Sequence, residues 1–205
     1  MRTLVIDTAT RACSVALLVD GRLVASHYEV IGRGHAERLL PLIADLPDRG
    51  RDDQIVVNVG PGSFTGIRVG VAAARALGFA WGVPVSGYGC LALVAAMARS
   101  GRAMSVDVVM TGGHGEYFFQ SFSDNGLATT PAASLSPSKV KANANAQLVA
   151  GDLAADVRVM LGNRSIVDVL PDAASWHLIA DIAQLAPSPV YGRTPDAQMP
   201  KGITA

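Results

Sequence analysis

The sequence predicts an α/β protein with mixed sheets, and three observations lead to this prediction. The β-branched run Ile55–Val59 ends in a turn rich in glycine and proline, residues 60–66, and a long helical pattern of small residues follows directly. Upstream, Asp20-Gly21 joins two strand-like runs and is a strong signal for a two-residue hairpin turn. Strand-like and helix-like patterns alternate through the first half of the chain, which is typical of α/β folds.

The first half of the chain contains eight predicted elements. In chain order they are strands at Thr3–Asp7, Cys13–Val19 and Arg22–Glu29, a helix at His35–Leu46, a strand at Ile55–Val59, a helix at Phe64–Trp81, a strand at Val83–Ser86 and a helix at Cys90–Arg99. Leu39, Leu42 and Ile43 recur at helical spacing in the first helix, and Pro41 is expected to bend it. Each glycine inside the second helix costs about 1 kcal/mol relative to alanine, so we expect another backbone to approach that helix closely.

The second half carries weaker signals. Its predicted elements are strands at Ser105–Met110 and Glu116–Ser123, a short helix after Ser136, strands at Leu148–Gly151 and Ile166–Leu170, and a helix at Ser175–Ala186. The run Tyr117-Phe118-Phe119 alternates along a strand and is expected to add to the core and leave one ring exposed. No internal repeat is visible in the sequence. The boundary between two lobes is predicted near Ser100–Ala103, which divides the chain into residues 1–102 and 103–205.

Composition limits the classes of function. Half of the 205 residues are hydrophobic and 17% are charged, so the chain can bury a substantial core and global disorder is excluded. The formal net charge is zero, whereas a protein that binds nucleic acid chiefly through phosphates carries a basic excess. Any contact with RNA is therefore expected to belong mainly to a partner.

The two cysteines, Cys13 and Cys90, fit a reducing compartment, and each is expected to be a small buried hydrophobe. The amino terminus enters a strand directly and has no signal-type pattern. The most apolar window, Val69–Val85, is interrupted by Arg75, glycines and Pro84, so we interpret it as a buried helix and strand and not as a membrane span.

Four motifs distributed from Ile6 to about Pro200 give the sequence its specificity. They are Asp7-Thr8-Ala9-Thr10, the run from Arg33 to Pro41, the eleven residues from Gly60 to Gly70, and Pro189-Val190-Tyr191-Gly192-Arg193. Together, and in this order, they resemble the bacterial TsaB (YeaZ) family. The resemblance implies an actin-like ATPase (ASKHA, ribonuclease H-like) fold with two lobes, each a mixed sheet flanked by helices. Residues 1–102 would form the lobe that carries the interaction helices, and residues 103–205 a smaller, degenerate lobe.

The resemblance also implies a function. Members of the family are non-catalytic scaffold or activator subunits in the synthesis of N6-threonylcarbamoyladenosine on tRNA. They bind the catalytic subunit TsaD as a heterodimer and, with it, the small ATPase TsaE, and they form homodimers when alone. The implied contact with tRNA is indirect, and the implied location is the cytoplasm. No cofactor is expected on this chain alone, since ATP and a metal would belong to the partner subunits.

We expect the partner-binding surface on the two helices that flank the glycine-rich turn. Helical spacing places one set of residues on one face of the second helix, namely Ile67, Gly70, Val71, Ala74, Gly78 and Trp81, and another set on the adjacent face, namely Arg68, Ala72, Arg75 and Phe79. The predicted partner-binding residues are His35, Leu39, Ile67, Arg68, Gly70, Val71, Ala74, Arg75 and Gly78. On pattern alone, the alternative is that both faces are buried within the chain.

Asp7, Ser63 and Thr65 are candidate nucleotide or loop residues. Asp7 ends the first strand, where actin-like ATPases place an aspartate, but Ala9 stands where the catalytic version needs a glycine. We therefore expect Asp7 to fix the loop. Ser63 or Thr65 can cap the following helix, whose free N–H groups could receive an anion. The surroundings of Ser63 lack the Gly-x-Ser-x-Gly elbow of hydrolases, so capping is preferred to nucleophilic catalysis.

No residue is predicted to be catalytic or to bind a metal. The four histidines, His27, His35, His114 and His177, contain no pair at the spacing that ligates a metal on one helix face, whereas TsaD carries a His-x-x-x-His pair. His35 is expected to be a helix cap or a surface contact. Residues 111–117 lack the acid and both arginines that the family has there. The open alternatives are an independent peptidase-like hydrolase, an ATP-dependent small-molecule kinase and a homodimeric binding module.

Overall fold

Two five-stranded mixed sheets form the framework of the chain, which a computed structural model describes over residues 1–182 and 184–192. The strands of the first sheet are β1 Arg2–Asp7, β2 Ala12–Val19, β3 Arg22–Val30, β4 Gln54–Asn58 and β5 Val85–Tyr88. Those of the second sheet are β6 Val106–Thr111, β7 Tyr117–Phe122, β8 Ala133–Leu135, β9 Leu148–Gly151 and β10 Ser165–Asp168. The strand order is β3-β2-β1-β4-β5 in the first sheet and β10-β9-β6-β7-β8 in the second. The predicted α/β class with mixed sheets is confirmed.

The two sheets share one topology. In each, the first three strands form an antiparallel meander and the fourth strand lies parallel to the first, with the fifth parallel to the fourth. The fold therefore contains a structural repeat that the sequence does not reveal. Hydrophobic patterning preserves a topology without preserving residue identities, which explains why the repeat is not visible in the sequence.

Five α-helices accompany the sheets within the described residues. They are α1 His35–Ala44, α2 Phe64–Trp81, α3 Cys90–Arg99, α4 Pro137–Asn143 and α5 Ala155–Leu161, and short 3₁₀ helices occupy Pro47–Gly50 and Ala173–Ile179. The bounds of α2 and α3 match the prediction. Helix α1 includes Pro41 and ends at Ala44, two residues before the predicted end, and strand β8 and helix α5 were not predicted.

Alternation along the strands assigns each face of the first sheet to a different layer. Leu4 and Ile6 of β1 belong to a cluster with residues of α1 and α2. Val5, between them, faces the opposite cluster, which contains residues of α3 and Trp176 of the second 3₁₀ helix. Helix α3 also packs against the second sheet, since Leu91 clusters with residues of β6 and β7. This helix consequently packs against both sheets, with a different side chain cluster on each.

Two predictions about the second half are wrong. The helix expected at Ser175–Ala186 is the shorter 3₁₀ helix Ala173–Ile179. The rings of Tyr117, Phe118 and Phe119 are all buried, because both faces of β7 are covered. Helix α3 packs against one face, and α4 and α5 pack against the other. The expected exposed ring is therefore absent from this run.

The last described segment returns to the first sheet. Ala173 N–H donates to the Ser14 hydroxyl at 3.0 Å, and Gly87 and Leu185 exchange two backbone hydrogen bonds of 2.7 and 2.8 Å. Val190 N–H then donates to the carbonyl of Val59 at 2.8 Å. The proposed boundary at residues 102 and 103 lies between the last strand of the first sheet and the first strand of the second, and the chain crosses back after residue 172. Arg193 and the later residues lie outside the described residues.

None of the helices in the part of the chain that the structure describes combines the length and the apolar character that crossing a membrane requires.

Candidate functional site

A cleft of about 560 Å³ lies between the two sheets. The loop after β1, the start of α2 and the β6–β7 turn meet there. Its described lining consists of Ala9, Thr10, Arg11, Gly32, Pro61, Gly62, Ser63, Phe64, Arg68, Met110, Thr111, Gly112, Gly113, Phe118, Asp152, Tyr191 and Gly192. A concave region of this size, with a few polar groups among apolar ones, is the usual form of a small-molecule site.

The glycines of the central motif bring α2 against the loop after β1. A Cβ atom on Gly62 would overlap the carbonyl oxygen of Ala9, and one on Gly66 would overlap that of Thr8. Ser63 N–H donates to the Ala9 carbonyl at 2.6 Å, and the Thr8 hydroxyl donates to the Gly66 carbonyl at 2.7 Å. The expected close backbone approach to this helix is confirmed, and the approaching backbone belongs to the chain itself.

Ser63 caps α2, as predicted. Its hydroxyl oxygen accepts a hydrogen bond of 3.2 Å from Gly66 N–H. In the described part of the chain, the amide N–H groups of Phe64 and Thr65 meet no acceptor.

The predicted role of His35 is wrong, because its ring is buried with Nε2 3.2 Å from the Ala12 carbonyl and the helix cap is Gly34. No histidine is among the described residues that line the cleft.

Asp7 fixes the loop after β1, as predicted. Its Oδ1 accepts from Ala9 N–H at 3.1 Å, and its Oδ2 accepts from the Asn58 amide at 2.6 Å and the Tyr88 hydroxyl at 2.7 Å. Burial raises the pKa of Asp7 to about 6, and these three hydrogen bonds limit the rise. Three donors, from the loop after β1, from β4 and from β5, converge on the carboxylate, which therefore holds these three segments together.

Arg11 and Asp152 face each other across the cleft from different sheets. Arg11 Nε lies 3.9 Å from Asp152 Oδ2, while Oδ1 accepts from Thr111 N–H at 2.7 Å. The Thr111 hydroxyl donates to the Asp152 carbonyl at 2.8 Å. Burial raises the pKa of Asp152, whereas the Thr111 amide and then Arg11 act in the opposite direction. The pair therefore ties the loop after β1 to the end of β6.

Arg68 lies against a pair of contacting aromatic rings at the mouth of the cleft. Its guanidinium carbon is 3.5 Å from the centroid of Phe64 and 5.5 Å from that of Tyr191, and the two rings are 5.1 Å apart. Nε donates to the Tyr191 hydroxyl at 2.8 Å. Planar stacking and this hydrogen bond hold the arginine in one orientation.

Most of the predicted partner-binding residues are covered by the chain itself. Seven are buried, namely His35, Leu39, Ile67, Gly70, Val71, Ala74 and Gly78, and only Arg68 and Arg75 are exposed. The physical reason is the close approach described above, which turns the small-residue face of α2 toward the first sheet. A partner would have to contact the adjacent face, and partner binding itself stays a prediction.

The outer surface of α1 and α2 is exposed and partly apolar. We define the helix-pair surface as the exposed residues Leu40, Ala44, Ala72, Arg75, Ala76 and Phe79. The side chain of Phe79 is 92% exposed, and Leu40 is 53% exposed. The two helices pack against each other beneath this surface.

Several cleft residues were not predicted from the sequence. Arg11 directly follows a recognised motif, and Tyr191 lies inside one, so position in a motif was the available signal. Asp152 carries no such signal. It reaches the cleft because Gly151, with φ of 139°, passes so close to the Val109 carbonyl that a Cβ would overlap it.

Cys13 and Cys90 are free and buried, as predicted. Over residues 1–182 and 184–192, no three side chains of His, Cys, Asp or Glu are grouped so that they could hold a metal ion.

The repeated strand order and the cleft between the two sheets define the class of protein as a two-lobed, actin-like fold. In agreement, the ethanolamine utilization protein EutJ of Carboxydothermus hydrogenoformans superposes with a TM-score of 0.52 over 87% of this chain and 89% of that chain, at 12% identity. A family model described as TsaD, tRNA N6-adenosine threonylcarbamoyltransferase, matches residues 27–157.

Closer relatives specify the family. The structure of YeaZ from Pseudomonas aeruginosa has a TM-score of 0.77 and 31% identity, and covers 93% of this chain and 99% of that chain. The tRNA threonylcarbamoyladenosine biosynthesis protein TsaB of Escherichia coli is 36% identical over 135 residues, 62% of this chain and 58% of its own length. The chain thus spans little more than half of this curated relative. It belongs to the TsaB (YeaZ) family, within the broader family that the matching model describes.

Proposed function

We propose that the chain is a non-catalytic scaffold and activator in the synthesis of N6-threonylcarbamoyladenosine on tRNA. It would bind TsaD and hold that subunit in its competent form, and TsaE would join at the shared interface. Family membership supports the pathway, because the E. coli relative is named as a biosynthesis protein for this modification. TsaD would make most of the contacts with tRNA, which fits the zero net charge of this chain.

The observation that carries the proposal is the exposure of Phe79 on the helix-pair surface. An aromatic side chain that is 92% exposed leaves nearly all of its apolar area in water. The exposed alanines Ala76 and Ala72 lie about one and two turns before Phe79 and would allow another helix to approach closely. These features favour docking of an apolar helical surface from TsaD, or from a second copy of this chain when TsaD is absent.

The state of Asp7 supports a non-catalytic role. Both of its oxygens accept hydrogen bonds from buried groups of the same chain. Ser63 is occupied in capping α2, and Ala9 adds a methyl group where the loop would need to approach a phosphate. We accordingly assign ATP and metal chemistry to the partner subunits. The two free cysteines fit the reducing cytoplasm as the proposed location.

The scaffold proposal is tested by Phe79→Asp, with Val159→Asp as the matched control. Val159 is also an exposed apolar residue of a helix, 82% exposed on α5 of the other lobe. Phe79→Asp is expected to weaken binding to purified TsaD by at least about tenfold, which corresponds to ~1.4 kcal/mol. The variant should also lower tRNA modification in a reconstituted reaction, while Val159→Asp leaves both unchanged.

Equal binding to TsaD by both variants and the unmodified chain would contradict the proposed surface. Sedimentation of the pure chain adds a second measurement, since Phe79→Asp should also reduce self-association. Sustained turnover of ATP or peptide by the isolated chain, abolished by Asp7→Ala, would favour an independent enzyme instead.

A further inference from the structure

The cleft between the lobes has walls that come from three distant parts of the sequence. The final described segment forms one wall, because a Cβ on Gly192 would lie 2.6 Å from Phe118 of the second sheet and 3.1 Å from Pro61 of the first. Val190 N–H anchors this segment to the Val59 carbonyl at 2.8 Å. A volume of about 560 Å³ is ample for a molecule of metabolite size.

Positive charge exceeds negative charge in the cleft. Among the described lining residues, Arg11 and Arg68 are the cations and Asp152 is the acid. Asp152 already accepts from Thr111 N–H at 2.7 Å, and it lies 3.9 Å from Arg11, longer than a hydrogen bond. A single partly engaged carboxylate does not neutralise two guanidinium groups, so the cleft favours an anion.

Most of the hydrogen-bond donors of Arg68 are available. No carboxylate among the described residues lies within 4.0 Å of Arg68, whose Nε alone is occupied, by the Tyr191 hydroxyl. Its remaining N–H groups keep a fixed direction because the guanidinium is stacked on Phe64. The unpaired amides of Phe64 and Thr65 at the start of α2 add to the positive potential at the same end of the cleft.

Apolar side chains form a large part of the remaining lining. Met110 and Phe118 come from the second sheet, and Pro61 and the ring of Tyr191 come from segments packed on the first. Aromatic and thioether walls of this kind suit a flat apolar body, which they can contact on its faces and edge. A bare inorganic ion would leave this part of the cleft unfilled.

We propose that this cleft binds a small organic anion that carries a carboxylate or phosphate on a planar, apolar body. The anionic group would lie against Arg11 and Arg68, and the body would lie between Phe118, Met110 and Tyr191. The site is separate from the helix-pair surface, so the proposal does not depend on the scaffold function.

Isothermal titration of the unmodified chain with three probes tests the proposal. Phenyl phosphate has both required features, inorganic phosphate lacks the planar body, and benzylamine has a ring with the opposite charge. Saturable binding is expected for phenyl phosphate, binding at least about tenfold weaker for inorganic phosphate, and none for benzylamine.

Two variants and a control locate the binding. Arg11→Gln and Arg68→Gln should each weaken the binding of phenyl phosphate by about tenfold, the usual effect of removing a charge-assisted hydrogen bond. Arg75→Gln, an exposed arginine of the same helix outside the described lining, should leave it unchanged. Far-ultraviolet circular dichroism checks that each variant is folded, and both cleft arginines are exposed enough to be replaced.

Absence of saturable binding of phenyl phosphate at millimolar concentration would overturn the proposal. Binding that is equal in Arg11→Gln, Arg68→Gln and the unmodified chain would overturn it as well. Neither result affects the scaffold function, which is measured separately with TsaD.

Discussion

Gly66 in the first turn of α2 lies directly against the carbonyl oxygen of Thr8, in the loop after β1. The Thr8 hydroxyl donates to the Gly66 carbonyl at 2.7 Å, so the two residues are joined by a hydrogen bond as well as by contact. This relationship gives the glycine motif a structural purpose. The helix packs directly against the loop, with no side chain between the two backbones. The loop in turn forms one edge of the cleft.

Gly66→Ala is expected to destabilise the fold, although alanine is normally the better helix residue. The new methyl group would overlap a backbone oxygen, which cannot move as a flexible side chain can. Overpacking costs about 1–3 kcal/mol, and the gain in helix propensity offsets ~1 kcal/mol of it. Urea unfolding should therefore show a net loss of up to about 2 kcal/mol in the free energy of unfolding.

Gly89→Ala is the control for that change. Gly89 has a φ of −82° and its nearest neighbour would be 4.0 Å from the added Cβ, so no overlap arises. The expected loss is within about 0.5 kcal/mol, from the weaker preference of alanine for the N-cap position. Equal losses in the two variants would show that contact with Thr8 does not explain the glycine.

The helix and strand positions of the first half could be predicted because they depend on local signals. Asp20-Gly21 forms the hairpin turn with φ of 50° and 75°, which glycine and aspartate tolerate. Helix α2 begins at its Ser63 cap and ends at Gly82, which has a φ of 69°. Each of these features involves residues only a few positions apart.

The exposed face of α2 could not be predicted in the same way. A row of small residues indicates that something approaches closely, but it does not say whether a partner or the same chain does so. The structure places Thr8 against this row, from a segment 58 residues away. The side of the helix that meets solvent contains Ala72 and Phe79, whose types do not distinguish it from a buried side.

The cleft also depends on long-range relationships. Arg68 meets Tyr191 across 123 residues of sequence, and Arg11 meets Asp152 through the association of the two sheets. Neither pairing has a spacing that a local pattern can detect. The tail motif with Tyr191 was recognised, whereas its position beside α2 required the chain to return from the second sheet to the first.

The ionisation of Asp7 is expected to make stability depend on pH. Its folded-state pKa of about 6 lies above the ordinary value of 3.8, so the folded state holds a proton that the unfolded state has already lost. The contribution of this group to the free energy of unfolding is therefore fully present below about pH 4 and is lost as the pH rises to about 6. The difference of about 2 pKa units corresponds to roughly 3 kcal/mol.

Comparison with Asp7→Asn isolates this effect from those of other carboxyl groups. Urea unfolding between pH 4 and pH 7 should give a smaller decrease for the variant than for the unmodified chain, because asparagine does not ionise. If both proteins show the same change with pH, Asp7 is not the group responsible.

Tyr88→Phe is expected to destabilise the fold more at pH 7 than at pH 4. The Tyr88 hydroxyl donates to Asp7 Oδ2 at 2.7 Å, and its removal leaves a buried carboxylate with one donor fewer. The expected loss at pH 7 is about 2 kcal/mol, the usual value for a hydrogen bond to a charged group. Protonation of Asp7 should reduce the loss to ~1 kcal/mol at pH 4.

The control for Tyr88 is Tyr28→Phe on β3. Tyr28 is 43% exposed, so removal of its hydroxyl should change the free energy of unfolding by less than about 0.5 kcal/mol. A loss in Tyr88→Phe that is identical at the two pH values would contradict the role given to the charge on Asp7.

Asp107 is expected to be as important for the second sheet as Asp7 is for the first. Its Oδ1 accepts from the Ser121 hydroxyl at 2.6 Å, and its Oδ2 accepts from the backbone N–H groups of Asn145 and Ala146 at 2.7 Å each. Asp107→Ala leaves all three donors without an acceptor and should cost about 3 kcal/mol.

Asp107→Asn should cost ~1 kcal/mol, because its one carbonyl oxygen can still accept from both amides while its NH₂ group donates to the Ser121 oxygen. Thermal and urea unfolding of the two variants measure the difference. The two substitutions are made at the same buried position. If Asp107→Asn costs as much as Asp107→Ala, the negative charge, and not the acceptor geometry, holds β6, β7 and the segment before β9 together.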